Sequence, residues 1–312
     1  MRDNKLSVYG VQLLAVAGLF FLLQAGAFLY AGLTGAGGPV ARFALICANG
    51  VFCLGAVLVA ADFLLPLFSG AAEKSLIFSP LPESRVGVGM TAYNDELSIA
   101  AAAEDFAAQE RVAGVTVVDN NSSDRTSEEA ARAGVAVVRE SVQGYGACCM
   151  RALREAMKTG DIVCLVEGDC TFSGHDLKKM LAYIENADMV VGTRTTRELN
   201  TPDSQLNTSI RWGNVLMAKL LQVRFHAVRL TDVGCTFRVI RRAALEKIID
   251  QLRVTGNHFS CEMILVALEN NLMVIEIPVT LKKRVGESKG VGNNFFKAAA
   301  TAIDMWKLIM FR

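Results

Sequence analysis

Residues 164–172, CLVEGDCTF, form an apolar run that stops at two carboxylates, Glu167 and Asp169, with Gly168 between them. Two acids this close at one strand end repel each other, and a divalent cation ligated by their hard oxygens offsets the repulsion. A polar acid-Gly-acid turn closing the strand is the other reading of the same tripeptide. A second chemical signature is KKRVGESKG at 282–290, where Arg284 and Lys289 bring positive charge and Gly286 and Gly290 bracket Ser288 and Lys289. That pattern suits a mobile phosphate-binding loop, and a solvated charge run is its alternative. Asp119 and Asn120 close another apolar run, VVDNN, where an Asx-rich turn competes with a binding role.

The elements that must position these residues follow from the pattern after Arg85. RVGVGMTAY (85–93), GVTVVDN (114–120), GVAVVRE (134–140), DIVCLVE (161–167) and DMVVGT (188–193) are short, Val-rich and bounded by turn residues. Ala-rich helical stretches such as ELSIAAAAEDFAAQERV and GACCMRALREAMKTG lie between them. Strands alternating with helices predict an α/β fold with a mostly parallel sheet covered on both faces. Ligands bind such sheets at the carboxyl ends of the strands, so Asp119, Glu167 and Asp169 are expected along one edge. A longer apolar strand, LMVIEIPVTL (272–281), runs into the basic segment.

The amino-terminal part is different in kind. The chain has 312 residues, 52% of them hydrophobic, and no Asp, Glu, Lys or Arg occurs from Leu6 to Ala41 or from Phe43 to Ala61. A membrane-crossing helix needs about 20 mostly apolar residues, so two crossings fit, with TGAGGP (Thr34–Pro39) as the turn. The first apolar run exceeds the ~7–15 residues of a signal-peptide core, which argues against cleavage. Arg2 and Lys5 precede the first span while Lys74 and Arg85 follow the second, so the positive-inside rule predicts a hairpin with both ends in the cytoplasm. Eight cysteines show no metal-ligand spacing and are read as unpaired and structural, in keeping with a reducing compartment. A net charge of +1 gives no sign of nucleic-acid binding.

Taken in order, the segments resemble glycosyltransferase family 2, the nucleotide-sugar-dependent enzymes with a Rossmann-like GT-A fold, and within it the polyprenyl-phosphate branch that includes dolichyl-phosphate mannose synthase. TAYNDELSI resembles the family's PAYNEEESI, with Thr91 for Pro and Asp95 for Glu. VVDNNSSDRT resembles VVDDGSTDGT, keeping Asp119 and placing Asn120 at the second acid. EGD stands at the DxD metal motif, GTR (192–194) follows it, and LTDVGCTFR and RVGESKG match later signatures of the branch. The resemblance covers roughly residues 85–290.

It implies a donor site for a UDP- or GDP-sugar formed by Thr91, Tyr93, Asp95, Asp119, Asn120, Glu167, Gly168 and Ser288, with Asp119 on the base. It implies Mg²⁺ or Mn²⁺ on Asp169, with Glu167 direct or through water. Asp169, Arg194, Arg284 and Lys289 form the expected catalytic set, the last two closing over the diphosphate. Arg194 and Arg211 are the expected contacts for a polyprenyl-phosphate acceptor, a structural salt bridge being the alternative for Arg211. The implied reaction is inverting sugar transfer to the lipid phosphate at the cytoplasmic membrane face. Two rivals remain: a processive polysaccharide synthase, suggested by TSIRW (208–212), and an impaired nucleotide-sugar-binding sensor or scaffold, suggested by Glu167 and Asn120. The expected organisation is a transmembrane hairpin over 1–70, a linker over 71–84, a GT-A domain over 85–290 and an amphipathic interfacial helix over 291–312. In that last segment Lys297, Thr301 and Asp304 share one stripe, and packing against the domain is the alternative to a membrane surface. A homo-oligomer is left open.

Overall fold

The Val-rich runs assemble into one seven-stranded sheet in the computed structural model, which describes residues 5–34, 38–69, 78–81, 83–204, 208–225, 228–286 and 294–312. The elements are α1 (Lys5–Thr34), α2 (Gly38–Ser69), β1 (Val86–Ala92), α3 (Ile99–Ala107), β2 (Val112–Asp119), α4 (Thr126–Arg132), β3 (Ala136–Arg139) and α5 (Tyr145–Ala156). Then come β4 (Ile162–Glu167), α6 (Leu177–Ile184), β5 (Met189–Thr193), α7 (Thr208–Phe225), β6 (Arg238–Arg241), α8 (Arg242–Ile248), α9 (Phe259–Glu269), β7 (Val274–Pro278) and α10 (Phe295–Phe311). The strand order is β3-β2-β1-β4-β6-β5-β7. All pairs are parallel except those of β6, which runs antiparallel to both β4 and β5.

Both faces of the central sheet are covered, and β1, β4 and β5 are buried along nearly their whole length. Along β1, Val88 and Met90 join the core formed with Ile99, Ala103 and Phe106 of α3 and Leu177 of α6. The alternate residues Gly87 and Gly89 lie against Ala156 and Ala152 of α5. Strand β6 departs from the sequence expectation. Its sequence, RVIR, begins and ends with arginine, which hides a strand from any hydrophobicity pattern. Arg238 is nonetheless fully buried, its guanidinium donating to the carbonyls of Thr236 (3.3 Å), Ser260 (3.0 Å) and Cys235. The last strand is also shorter than the predicted 272–281 stretch.

The chain divides into two compact units, one of Leu76–Gln222 with Ala227–Arg312 and the other of Arg2–Ser75 with Val223–His226. Within the second unit α1 and α2 pack at small residues. A Cβ on Gly10 would lie 2.7 Å from the Gly55 carbonyl, and one on Gly55 would lie 2.8 Å from that of Gly10. Close approach through glycine is how apolar helices gain contact where burial from water supplies no drive. Leu19, Leu22, Leu23, Leu29, Phe43, Ile46 and Val57 face outward. Among the described residues one helix, over Lys5–Tyr30, is long and apolar enough to cross a membrane, and α2 adds a shorter apolar stretch, Leu45–Ala61. The predicted turn falls largely on residues 35–37, and most of the predicted linker on 70–77; both stretches lie outside the described residues.

Helix α10 packs on its own domain. Met305, Ile309 and Met310 are buried, and Arg312 donates to Glu262 (2.8 Å), Glu269 (3.1 Å) and the Gln251 carbonyl (2.9 Å). Phe296, Ile303 and Phe311 stay exposed on its other side.

Candidate active site

The register of the sheet gathers the predicted acids. Strand β1 lies between β2 and β4, with Ala92 beside Asp119 and Thr91 beside Glu167. Strand order reverses between β1 and β4, so Glu167 stands at the switch point, where the carboxyl ends of an α/β sheet leave a crevice. Immediately after it the chain turns sharply. Cys170 takes a left-handed conformation (φ 61°), and the Thr171 amide and hydroxyl close back on Asp169 Oδ1 at 2.9 and 2.5 Å.

Asp169 is 1% exposed, and its Oδ2 is buried without a hydrogen-bond partner. The cation facing that oxygen is Arg284, whose guanidinium also lies 3.6 Å from Glu167 Oε2. The backbone brings Arg284 there, because the Val285 amide donates to the Asp169 carbonyl (3.1 Å) and the Lys282 amide to that of Thr171 (2.8 Å). Burial, then the neighbouring Asp169 charge, push the Glu167 carboxyl above its usual range, against the opposing pull of Arg284. Burial by itself would lower the Arg284 pKa, but Asp169 and Glu167 reverse that, so the guanidinium stays charged. Ser288 and Lys289 of the same segment lie outside the described residues.

Around the first strand end, the predicted donor residues are held partly by one another and partly by neighbouring turn and helix residues. The Tyr93 amide donates to Asp95 Oδ2 (3.0 Å), and the Asp95 amide donates to Thr126 (2.7 Å). Thr91 is buried and its carbonyl takes the Gly168 amide (2.9 Å). Asp119 accepts the Ser122 amide (2.9 Å) and the Ser127 hydroxyl (2.5 Å). Asn120, expected at the nucleotide, has its side chain bonded to a neighbouring loop. Its amide nitrogen donates to the carbonyls of Glu140 (3.1 Å) and Val142 (2.7 Å), and its oxygen accepts the Gly144 amide (2.8 Å). The residue holds the 140–144 loop; an amide, with both donors and an acceptor, can do this where a carboxylate cannot.

Arg194, at the end of β5, is pinned by a residue that the sequence alone did not single out. Its Nε and Nη2 pair bidentately with Asp232 at 2.8 and 2.9 Å, and its amide adds a third contact at 3.1 Å. Burial would raise the Asp232 pKa, yet Arg194 holds the carboxyl below its ordinary value. Glu276 of β7 in turn accepts the Thr231 and Asp232 amides (2.8 and 2.9 Å), fixing the loop that carries Asp232. Arg211 on α7 is half-buried, with its Nε lacking a partner among the described residues. Asp232 sits inside the LTDVGCTFR segment, so its acid was visible; its partner, 38 positions away, was not.

Comparison with known sequences decides the family. The sequence profile described as Glycosyl transferase family 2 matches residues 88–249, more than half of the chain. The chain belongs to glycosyltransferase family 2. Among relatives of this family 2 member, a low-salt glycan biosynthesis hexosyltransferase of Haloferax volcanii is 32% identical over 65% of this chain and 49% of its own length. The chain thus spans about half of that relative. A dolichyl-phosphate hexose transferase of the same organism is 31% identical, covering 65% of this chain and 86% of the relative. A polyprenol monophosphomannose synthase of Mycolicibacterium smegmatis is 28% identical over 59% and 72%. Glucosyl-3-phosphoglycerate synthase from Mycobacterium tuberculosis, crystallised with Mn²⁺, UDP-glucose and phosphoglyceric acid, superposes with a TM-score of 0.56 at 14% identity, covering 73% of this chain and 79% of that one. That likeness establishes the GT-A-like mixed α/β fold.

Proposed function

We propose that the chain transfers a sugar from a UDP- or GDP-sugar to a polyprenyl phosphate at the cytoplasmic membrane face, with inversion and with Mg²⁺ or Mn²⁺. The observation that carries this reading is the pair of half-buried Glu167 and buried Asp169 at the switch point with a cation already drawn onto it. Among the described residues no cluster of three or more acids, histidines or cysteines could hold a metal alone. Two carboxylates, one with a buried oxygen that only Arg284 faces among the described residues, instead suit a hard ion that takes its remaining ligands from substrate phosphates and water. Such an ion, when bound, neutralises charge developing on the departing nucleoside diphosphate.

The chain's own residues do the rest. Arg284 leaves the carboxylates for the diphosphate, joined by Ser288 and Lys289 of the same segment. Thr91, Tyr93, Asp95 and Asp119 shape the donor side. Arg194, oriented by Asp232, and Arg211, through its open Nε, hold the acceptor phosphate. A phosphate monoester is anionic near neutral pH and attacks without a general base, from the face opposite the leaving group. In this reading α1 and α2 form the membrane hairpin of residues 1–70 and 71–84 are the linker. Residues 85–290 are the transferase domain, and the exposed Phe296, Ile303 and Phe311 set α10 of the 291–312 segment against the membrane interface. Lipid-linked sugar is also the product type that the names of two relatives indicate.

The test is incubation of the purified full chain with a panel of UDP- and GDP-sugars and a polyprenyl phosphate, with mass spectrometry of the lipid. One sugar per lipid phosphate is expected. A polymer, or no glycolipid with any donor, would refute the proposal. The competing sensor reading draws on Arg284 sitting where a cation would bind, and donor binding without any turnover is the result it expects.

A further inference from the structure

Glu167 has a longer arm than the aspartate its motif position would carry, and something must hold that arm in place. Its Oε1 accepts the Thr236 hydroxyl at 2.8 Å. A carboxylate only accepts, so the Thr236 proton points to Glu167 and the Thr236 oxygen is left to receive one. The donor is the Tyr145 hydroxyl, which is hydrogen-bonded to that oxygen. Burial, followed by the nearby Cys149 and Glu167, keeps the Tyr145 phenol protonated well above its ordinary range. With Glu167 ionised, the chain runs from Tyr145 to Thr236 to Glu167.

Both members are rigidly seated. Tyr145 opens α5 between two glycines. Gly144 has a positive φ of 147°, and a Cβ there would lie 2.4 Å from the Thr255 carbonyl. A Cβ on Gly146 would lie 2.1 Å from the Val254 carbonyl, and the Gly146 amide donates to Thr255 at 2.8 Å. The helix start is thus pressed onto the 254–255 backbone, which buried Glu262 holds through the Arg253 and Val254 amides. Thr236 is fixed from the other side, because buried Arg238 clamps the carbonyls of Cys235, Thr236 and Ser260.

We infer that Tyr145 and Thr236 are positioning residues, a hydroxyl chain that anchors one oxygen of Glu167 so that the other faces the cation position beside Asp169. The inference rests on the proposed metal role of Glu167. Outer partners of metal ligands typically contribute about 10–100-fold in metal affinity.

Mn²⁺ binding by the full chain in the presence of UDP and, separately, of GDP, read by electron paramagnetic resonance, tests it. Thr236→Val keeps the shape and removes the hydroxyl, and is expected to weaken Mn²⁺ about tenfold or more. Thr236→Ser should restore it, and Tyr145→Phe should give a smaller loss. In a Glu167→Asp background, whose shorter arm cannot reach Thr236, Thr236→Val should cost nothing further. Unchanged Mn²⁺ affinity in both Thr236→Val and Tyr145→Phe would overturn the inference while leaving the metal site standing. An equal loss in the Glu167→Asp background would also overturn it, by marking a general packing effect. Wild-type protein that binds no Mn²⁺ would remove the metal reading and the inference with it.

Discussion

Replacing Arg284 with alanine tests whether the guanidinium stands in for the cation that the two acids were expected to hold. At 3.6 Å from Glu167 and an effective dielectric near 20, the pair attraction is about 4–5 kcal/mol before desolvation. Charge-assisted contacts leave a net of roughly 2 kcal/mol once desolvation is included. An incoming ion that displaces Arg284 loses that amount, so Arg284→Ala should bind free Mn²⁺ more tightly, by about 10–30-fold. Without metal the variant leaves two facing carboxylates uncompensated, a loss of about 3 kcal/mol. That corresponds to roughly 6–12 °C in Tm for a domain of this size. Mn²⁺ at ~100 times its Kd should return about 2.7 kcal/mol. Turnover should nevertheless fall by about 10²-fold, since the same side chain is proposed to neutralise the leaving diphosphate. Thermal unfolding with and without Mn²⁺ and calorimetric titration measure the stability and affinity changes, and steady-state kinetics measures the turnover. Equal or weaker Mn²⁺ affinity in Arg284→Ala would refute the stand-in argument, whatever happens to the rate.

Asp169→Asn should abolish metal-dependent transfer, a loss of at least ~10²-fold in kcat; full activity of this variant in excess chelator would remove the metal assignment. Gly234→Ala would set a Cβ 2.7 Å from Asn214 Oδ1 and 3.0 Å from Arg194 Nη2. It should raise the KM for the lipid phosphate about tenfold, on the order of 1.4 kcal/mol, with the donor KM unchanged, and steady-state kinetics in both substrates checks this. Asp232 has a depressed folded-state pKa, so its stabilising share is present above the unfolded value of about 3.9 and is lost as pH falls through the folded value. Asp232→Asn should cost about 3–5 kcal/mol at pH 7 and flatten the acid limb of stability, as urea titrations at pH 2–7 would report.

What could be read from the sequence was whatever a short window contains. The alternation of Val-rich runs with Ala-rich stretches marked most of the sheet, and Asp119, Glu167 and Asp169 stood out because charge interrupts an apolar run. Strand β6 escaped because Arg238 is buried through carbonyl contacts that no window displays. Asn120 read as a lost acid, whereas its amide holds a loop twenty residues away. The supports of the site are longer-range still. Arg194 meets Asp232 across 38 positions, Glu167 meets Thr236 across 69, and Tyr145 meets Thr236 across 91. A neutral hydroxyl such as that of Thr236 carries no local contrast, so only the fold reveals it.

The same physics explains why those supports are needed. Carboxylates at a switch point are placed by strand register, which fixes a Cα but leaves the long arm of Glu167 free to rotate. Asp169 is closed by its own neighbour Thr171, two residues on, at no topological expense. Glu167 has no such local partner in the described hydrogen bonds, and its anchor comes from the segment entering the one antiparallel strand. That strand runs back between β4 and β5 and so carries Thr236 to the carboxyl end of β4. A parallel strand in its place would bring its own carboxyl end there, and residues preceding it would lie at the opposite edge. The antiparallel β6, the element hardest to see in the sequence, is therefore what lets residues 232–236 reach both Arg194 and Glu167.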